Sequence, residues 1–343
     1  MPKKSSWRAL QALLALALLA AVAVGGWFWQ RYQGFADTPI ALAGAERVLV
    51  VESGDGFRDV LRKLRELGVR AGHDLEWQAL AHEMQVTARL QVGDYAIPHG
   101  ITPRELLGKL EKGRVIHYRF TIVPGWNMRD LRAALAADES LVQTLPELDD
   151  AALMAELGRE GMPAEGRFLP ETYHYTRGQR DIDVLRRALH AMDKAVEESW
   201  AQRDPATPLV DADQLLILAS IVEKETGRAD ERPAIAGVFA RRLKLGMKLQ
   251  TDPTVIYGLG SSFDGNLRRR DLETDTPFNT YTRTGLPPTP IAMPGREALR
   301  AAAKPADGDA LYFVSRGDGS HVFSATLAEH NRAVDCHQRR RCR

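Results

Sequence analysis

The sequence has almost no cysteine. Its two residues of this type, Cys336 and Cys342, both fall in the last eight positions of 343. Neither a disulfide framework nor a CxxC metal pair can be built from them. They fit either a pair closed in an oxidising compartment or two members of a frayed tail, and we assign them no role. An excess of charge of one sign is also missing. Lys plus Arg total 46 against 45 Asp plus Glu, a formal net charge of +1, which argues against a dedicated nucleic-acid binder. With 44% hydrophobic and 27% charged residues, 28 Gly and 18 Pro, the composition is neither collagen-like, mucin-like nor wholly disordered. Several chemistries fail for want of their motifs: there is no HExxH, no Walker A and no GxSxG elbow. Gly258-Leu259-Gly260 opens a dinucleotide-like pattern, but Phe263 holds the third glycine position and no strand precedes it. The nine His residues are scattered, so no metal site is expected. The Arg339-Arg340-Arg341 run reads as a solvated tail.

What the chain does have is one long apolar run. Residues 12–29 carry no charged or strongly polar side chain, and as a helix they span about 27 Å, close to the hydrocarbon thickness of a bilayer. Lys3, Lys4 and Arg8 precede the run, and no acidic residue appears before Asp37. The positive-inside bias then places residues 1–8 in the cytoplasm, a transmembrane helix at 9–29, and everything after it outside. Trp7, Trp27, Trp29 and Tyr32 sit where an interfacial belt anchors such a helix. The rival is a cleaved signal peptide with its site near Ala21-Val22-Ala23, against which the run continues unbroken through Gly25, Gly26 and Trp27.

Residues 30–45 read as a linker. A strand pattern at 47–51 leads into a Ser53-Gly54-Asp55-Gly56 turn. Phe57, Val60, Leu61, Leu64 and Leu67 then repeat at helical spacing, and Gly68 stops that helix. A second helix at 75–83 and a strand at 90–97 complete a β-α-α-β order that resembles a LysM module, a small glycan-binding unit. Thr102, Pro103 and Glu105 predict a helix start with a capping box. Pro124-Gly125 marks the boundary between this membrane-proximal subdomain, 46–123, and a larger α+β domain, 124–335, followed by a tail at 336–343. In the larger domain helices are expected at 127–137, 149–158, 181–201, 211–226, 231–245 and 295–303, with strands at 311–315 and 321–324. About fifty residues between Gly246 and Gly295 are dense in Pro, Gly, Thr, Asp and Asn, and loops that long usually bind or catalyse. The fold class is therefore α+β throughout, behind an N-terminal transmembrane helix.

The helix expected at 211–226 carries the most chemistry. Residues 215–222 are all apolar or small, and Glu223 and Glu225 follow. At 100° per residue Glu225 lies within about 60° of Leu218, Ile221 and Val222, whereas Glu223 points roughly 160° away, over Leu216, Ala219 and Ser220. A carboxyl on the bulky stripe is one that desolvation keeps protonated, as a general acid must be. The plain alternative is a pair of exposed helix-end glutamates flanking a solvated Lys224.

Downstream, Ala219-Ser-Ile-Val-Glu-Lys-Glu-Thr226 is followed by Gly246-Met-Lys-Leu-Gln-Thr-Asp-Pro-Thr-Val-Ile-Tyr-Gly258, Asp271-Leu-Glu-Thr274, Phe278-Asn-Thr-Tyr281, Gly285-Leu-Pro-Pro288, Ile291-Ala-Met-Pro-Gly295, Leu311-Tyr-Phe-Val314, His321-Val-Phe-Ser-Ala-Thr326 and Glu329-His-Asn331, with Glu165-Gly-Arg-Phe-Leu-Pro-Glu-Thr-Tyr173 upstream. This text resembles the YceG-like family of endolytic murein transglycosylases, densely from Gly161 to about Val334. Phe278 stands where the family often has Tyr, and Thr289-Pro290 replaces a smaller pair.

The resemblance implies a single-pass inner-membrane enzyme whose periplasmic or extracytoplasmic domain cuts nascent peptidoglycan strands internally and so ends their elongation. One Glu protonates the oxygen linking N-acetylmuramic acid to N-acetylglucosamine and then takes the proton of the muramyl C6 hydroxyl, leaving a 1,6-anhydro end. No metal or organic cofactor is implied. The catalytic glutamate of the family matches Glu225, with Glu223 as a supporting group or alternative acid. Gln250, Asp252, Tyr257, Asn279 and Tyr281 read as a glycan cleft, in which amides, acids and aromatic faces meet sugar. Turn chemistry is the competing reading for Asp252-Pro253 and Asn279-Thr280. Glycan polymerases and transpeptidases of wall synthesis are the expected partners. Two other functions compete: a non-catalytic peptidoglycan-binding scaffold, and a muramidase in which Asp252 or Glu273 activates water.

Overall fold

The computed structural model describes residues 4–42, 46–339 and 341. Lys3, Arg340 and Cys342, and with Cys342 the question of its pairing, lie outside them. The described chain forms two compact units, one running up to Tyr118 and taking in Thr176–Gly178, the other Arg119–Tyr175 with the remainder.

In the first unit the apolar run is one helix, α1 (Lys4–Asp37), of which Gln11–Asp37 is long and apolar enough to cross a membrane. The helix does not stop where the linker was expected. It continues through residues 30–37, and Ala36, Ile40 and Leu42 are buried in the unit's core. The sequence hides this because polar residues such as Gln30, Arg31 and Gln33 share the segment with the apolar contacts that fix it. Beyond α1 come β1 (Arg47–Val51), α2 (Phe57–Glu66), α3 (Asp74–Glu83), β2 (Gly93–Ile97) and α4 (Pro103–Glu111). β1 and β2 pair antiparallel, with Leu49 opposite Tyr95 and Val51 opposite Gly93. Period-two alternation turns Leu49 and Val51 inward, where they meet Val60, Leu61 and Leu64 of α2, Trp77 and Leu80 of α3, and Leu106, Leu107 and Leu110 of α4. α4 starts as its capping box predicts: Glu105 N–H donates to Thr102 Oγ1 at 3.2 Å, and Thr102 N–H to the Glu105 carboxylate at 2.9 Å.

The second unit holds β3 (Tyr118–Thr121), α5 (Met128–Ala136), α6 (Asp150–Glu156), β4 (Thr172–Tyr175), α7 (Asp181–Ala201), α8 (Ala212–Glu225), α9 (Arg232–Lys244), α10 (Asp252–Leu259), α11 (Arg269–Glu273), α12 (Arg296–Ala303), β5 (Tyr312–Ser315), β6 (His321–Ser324) and α13 (Leu327–His337). The strands form only two-stranded pairs, β3 with β4 and β5 with β6. The core belongs to helices. α8 packs against α7, α9 and α12, and every residue from Leu215 to Val222 is buried. A helix buried all round needs no amphipathic stripe, which is why residues 215–222 read as one continuous apolar run. The polar stretch from 246 to 295 is loop except for α10, α11 and a 3₁₀ turn at Gly260–Ser262. Asp252-Pro253 opens α10, with Pro in its first turn, where its missing N–H costs no helix bond.

Candidate active site

Neither glutamate of the last turn of α8 is exposed, so the reading of two exposed helix-end carboxylates does not hold. Burial does not distinguish them either, because both are partly covered. Their partners do. The Glu223 side chain is only 6% exposed, and Arg232 Nη2 donates to its Oε1 at 3.2 Å. Its Oε2 accepts the Gly295 N–H at 2.9 Å. On the same face Ser220 Oγ accepts the Ile291 N–H at 3.0 Å. Glu223 and Ser220 thus fasten α8 to the start of α9 and to residues 291–295. Lys224 is exposed and donates to the Gly125 carbonyl at 3.2 Å.

Glu225 faces the other way, onto a cleft of about 450 Å³ whose lining includes Arg242, Gln250, Asp252, Tyr281, Tyr312 and His321. Its Oε1 accepts a hydrogen bond from the Thr251 hydroxyl. Burial pushes the Glu225 carboxyl up from the ordinary 4.5 to about 7. The neighbouring Asp252 adds to the rise, while the Thr251 hydroxyl and the nearby His321 and Arg242 side chains oppose it.

Thr251 is set by a knot of buried hydroxyls. Its N–H donates to Thr280 Oγ1 at 3.1 Å, and Thr254 Oγ1 donates to its carbonyl at 2.8 Å. Just before it, Gln250 takes a left-handed φ of 51°, a conformation costly for a residue with a side chain and common at functional sites. Tyr281 OH donates to Asp252 Oδ1 at 2.6 Å, so these two line the cleft as a coupled pair.

The structure therefore gathers Glu225, Gln250, Asp252 and Tyr281 in one cleft and places Glu223, Tyr257 and Asn279 elsewhere. Asn279 is 1% exposed. Its Nδ2 lies 2.7–3.2 Å from the carbonyls of Asp271, Leu272 and Thr274, and its Oδ1 accepts the Tyr281 N–H at 2.8 Å. That is turn chemistry, and no part of the amide remains for sugar. Asn279→Ala is accordingly expected to lower stability by about 2–3 kcal/mol through orphaned buried carbonyls, read as a drop in the denaturation midpoint. Substrate affinity should be retained below that midpoint.

Tyr257 reaches the opposite end of α10, where its OH donates to Glu165 Oε2 at 3.0 Å and its ring meets Phe278 edge-on at 4.8 Å. Glu165 also accepts the Met128 N–H at 3.1 Å. Burial pushes its carboxyl up to about 7 as well, against the pull of those two donors. The sequence offered no signal for this second shifted acid beyond its place in the 165–173 motif.

Also missed were Thr251, Arg242 and His321. Arg242 reads in sequence as a cation at the C-terminus of a helix. In the fold it is 7% exposed, donates to the carbonyls of Leu311 and Leu249 at 2.7 and 2.8 Å, and lies 5.1 Å from the Tyr312 ring centre. Glu231 Oε2 sits 2.6 Å from His321 Nδ1 and Oε1 accepts the His321 N–H at 3.0 Å. A smaller cavity of about 220 Å³ lies between α7 and α12. Its arginines are already paired, Arg296 with Glu171 and Arg300 with Glu297.

The chain thus combines an N-terminal helix long and apolar enough to cross a membrane, a mixed helix-and-sheet fold and a carboxyl facing a polar cleft. Residues 49–336 match the model of the YceG-like family, and the chain belongs to that family. It is 33% identical over 262 residues to the endolytic murein transglycosylase of Bacillus subtilis (strain 168), covering 71% of this chain and 72% of that one. It is 26% identical to the endolytic murein transglycosylase of Streptococcus pneumoniae (strain D39), covering 94% of this chain but 64% of the relative. The crystal structure of a YceG-like protein from Listeria monocytogenes superposes with a TM-score of 0.55 at 25% identity, over 84% of this chain and 99% of that one.

Proposed function

We propose that this chain is a membrane-anchored lytic transglycosylase that cuts peptidoglycan glycan strands internally, with Glu225 as its acid and then its base. The anchor is α1, with the N-terminus cytoplasmic and both units on the outer face of the inner membrane. The observation that carries the chemistry is a single one: a carboxyl with a pKa near 7, held by one hydroxyl, on the floor of an open polar cleft. Near neutral pH such a group is divided between acid and carboxylate, the state in which one residue can give and then take a proton.

The Glu225 proton passes to the oxygen that links muramyl C1 to the N-acetylglucosamine that follows, and the C1–O bond breaks. The muramyl C6 hydroxyl oxygen then bonds to C1, and its proton returns to Glu225. The ring that closes is the 1,6-anhydro end, and no water is consumed. Because the nucleophile belongs to the same sugar, proximity supplies much of the rate, and a second carboxylate is unnecessary. In this reading Asp252 and Tyr281, joined by their hydrogen bond, contact the sugar, and Gln250 presents its amide from the strained turn.

Asp252 in the same cleft is what favours the rival, a muramidase with Asp252 activating water. Glu273 does not, since it is exposed and paired with Arg269 at 2.7 Å. Asp252→Asn separates the two readings. The transglycosylase keeps forming anhydro ends, and removal of the neighbouring negative charge lets Glu225 ionise more readily. The alkaline limb of the activity profile then moves to lower pH. Loss of all cleavage together with reducing ends in the parent protein would instead establish the muramidase. Binding without any cleavage by the parent would leave the scaffold function.

A further inference from the structure

The unit that carries β1 and β2 is not tethered loosely to the apolar helix. Phe35 of α1 meets Trp77 edge-on at 5.3 Å, and Gly72 (φ +65°) lets the chain pass so close that a Cβ there would lie 2.2 Å from the Phe35 ring. Arg31 pairs with Glu76 at 3.0 Å and Arg104 with Asp37 at 2.9 Å. α1 and this unit form one body, so the depth of the helix in a membrane fixes the height of the unit above it.

Simple lengths set that height. The 12–29 run is about 27 Å long, against a hydrocarbon layer of roughly 30 Å, so Trp29 lies at its edge and Arg31 about 3 Å beyond. The headgroup layer on each face is about 5–7 Å thick. Glu76, bonded to Arg31, therefore lies within it, as does the adjoining Leu75. Leu75 is 77% exposed. It lines a groove of about 470 Å³ with Phe28 and Tyr32 of α1 and Ala79 of α3, together with the polar Arg31, His73 and Glu76. The groove is mostly apolar, and its wall at Phe28 is continuous with the surface of the spanning helix.

We infer that this groove takes up phospholipid of the surrounding bilayer, with Leu75 immersed at the headgroup–acyl boundary, so that the unit is seated in the membrane surface rather than suspended above it. The inference rests on α1 being a retained span, and the test separates the two. Nitroxide labels are placed one at a time through Leu75→Cys, Val22→Cys within the apolar run, and Val210→Cys on the second unit, where Val210 is 73% exposed. All three are made in the full chain carrying Cys336→Ser and Cys342→Ser, in phospholipid nanodiscs. Leu75 is solvent-facing, so its replacement leaves the core intact.

Collision with dissolved oxygen relative to a water-soluble nickel chelate reports lipid against water. The ratio at Leu75 is expected to exceed that at Val210 by at least about threefold and to fall below that at Val22, as for an interfacial side chain. A Leu75 ratio equal to that of Val210, with Val22 in lipid, would overturn the seating alone. Shielding of Leu75 from both reagents would also overturn it, because another chain would then fill the groove. An aqueous Val22 would remove the span and the inference with it.

Discussion

Replacing Glu225 by Gln is expected to lower the rate of glycan cleavage by at least about 10²–10⁴-fold, the usual contribution of a positioned acid–base group, while leaving the protein as stable as the parent or more so. The stability half follows from sign. Burial raises the folded-state pKa of Glu225 to about 7, so the protonated form is the one the fold prefers. The contribution is complete below the ordinary carboxyl range and is lost as pH climbs through 7. At pH 8 the parent must keep a charged carboxylate in a desolvated place, whereas Gln keeps an oxygen for the Thr251 hydroxyl and carries no charge. A gain of up to about 3 kcal/mol at pH 8, shrinking to below about 1 kcal/mol toward pH 5, is the expected difference in unfolding free energy. Denaturant titrations of the two proteins at both pH values would measure it. A variant that loses activity because it unfolds would contradict the assignment.

The opposite outcome is expected two residues earlier. Glu223→Ala leaves Arg232, a side chain only 14% exposed, without its carboxylate. It also strips the Gly295 N–H of its acceptor and loosens the junction of α8 with α9 and residues 291–295. Breaking a buried pair by removing one partner costs about 3–5 kcal/mol, much of a typical domain's stability. Denaturant unfolding should show that loss. At temperatures where the variant remains folded, anhydro ends should still form. If Glu223→Ala proved stable but inactive, and Glu225→Gln active, the two glutamates would exchange roles.

The contrast also shows how far the residues alone could carry the reading. Local signals survived into the structure. The capping box at Thr102 and Glu105, the continuous apolar run of α8 and the Phe57–Leu67 spacing ended by Gly68 are decided within a few positions of the chain, and the helices stand where these place them. The stripe argument chose Glu225 on a premise that the fold removes, since both faces of α8 are buried. What distinguishes the two carboxyls is their partners, and these come from far along the chain: Thr251 for one, Arg232 and Gly295 for the other.

The same distance hid Arg242, whose carbonyl partners lie at 249 and 311, and the Glu231–His321 pair, separated by 90 positions. Asn279 and Tyr257 misled because amide and phenol are equally suited to a sugar and to a turn or a buried acid. Residues 30–37 misled because an amphipathic helix end and a polar linker share a composition.

Analysis of the cleavage products in water enriched in ¹⁸O tests the central claim most directly. Full-length protein is incubated with nascent, uncrosslinked peptidoglycan beside Glu225→Gln, and the muramyl ends are weighed by mass spectrometry. Intramolecular closure under Glu225 predicts anhydro ends one water lighter than a hydrolysed end, free of heavy oxygen, and absent from the variant. Reducing ends carrying ¹⁸O, or anhydro ends that persist when Glu225 is Gln, would contradict the account.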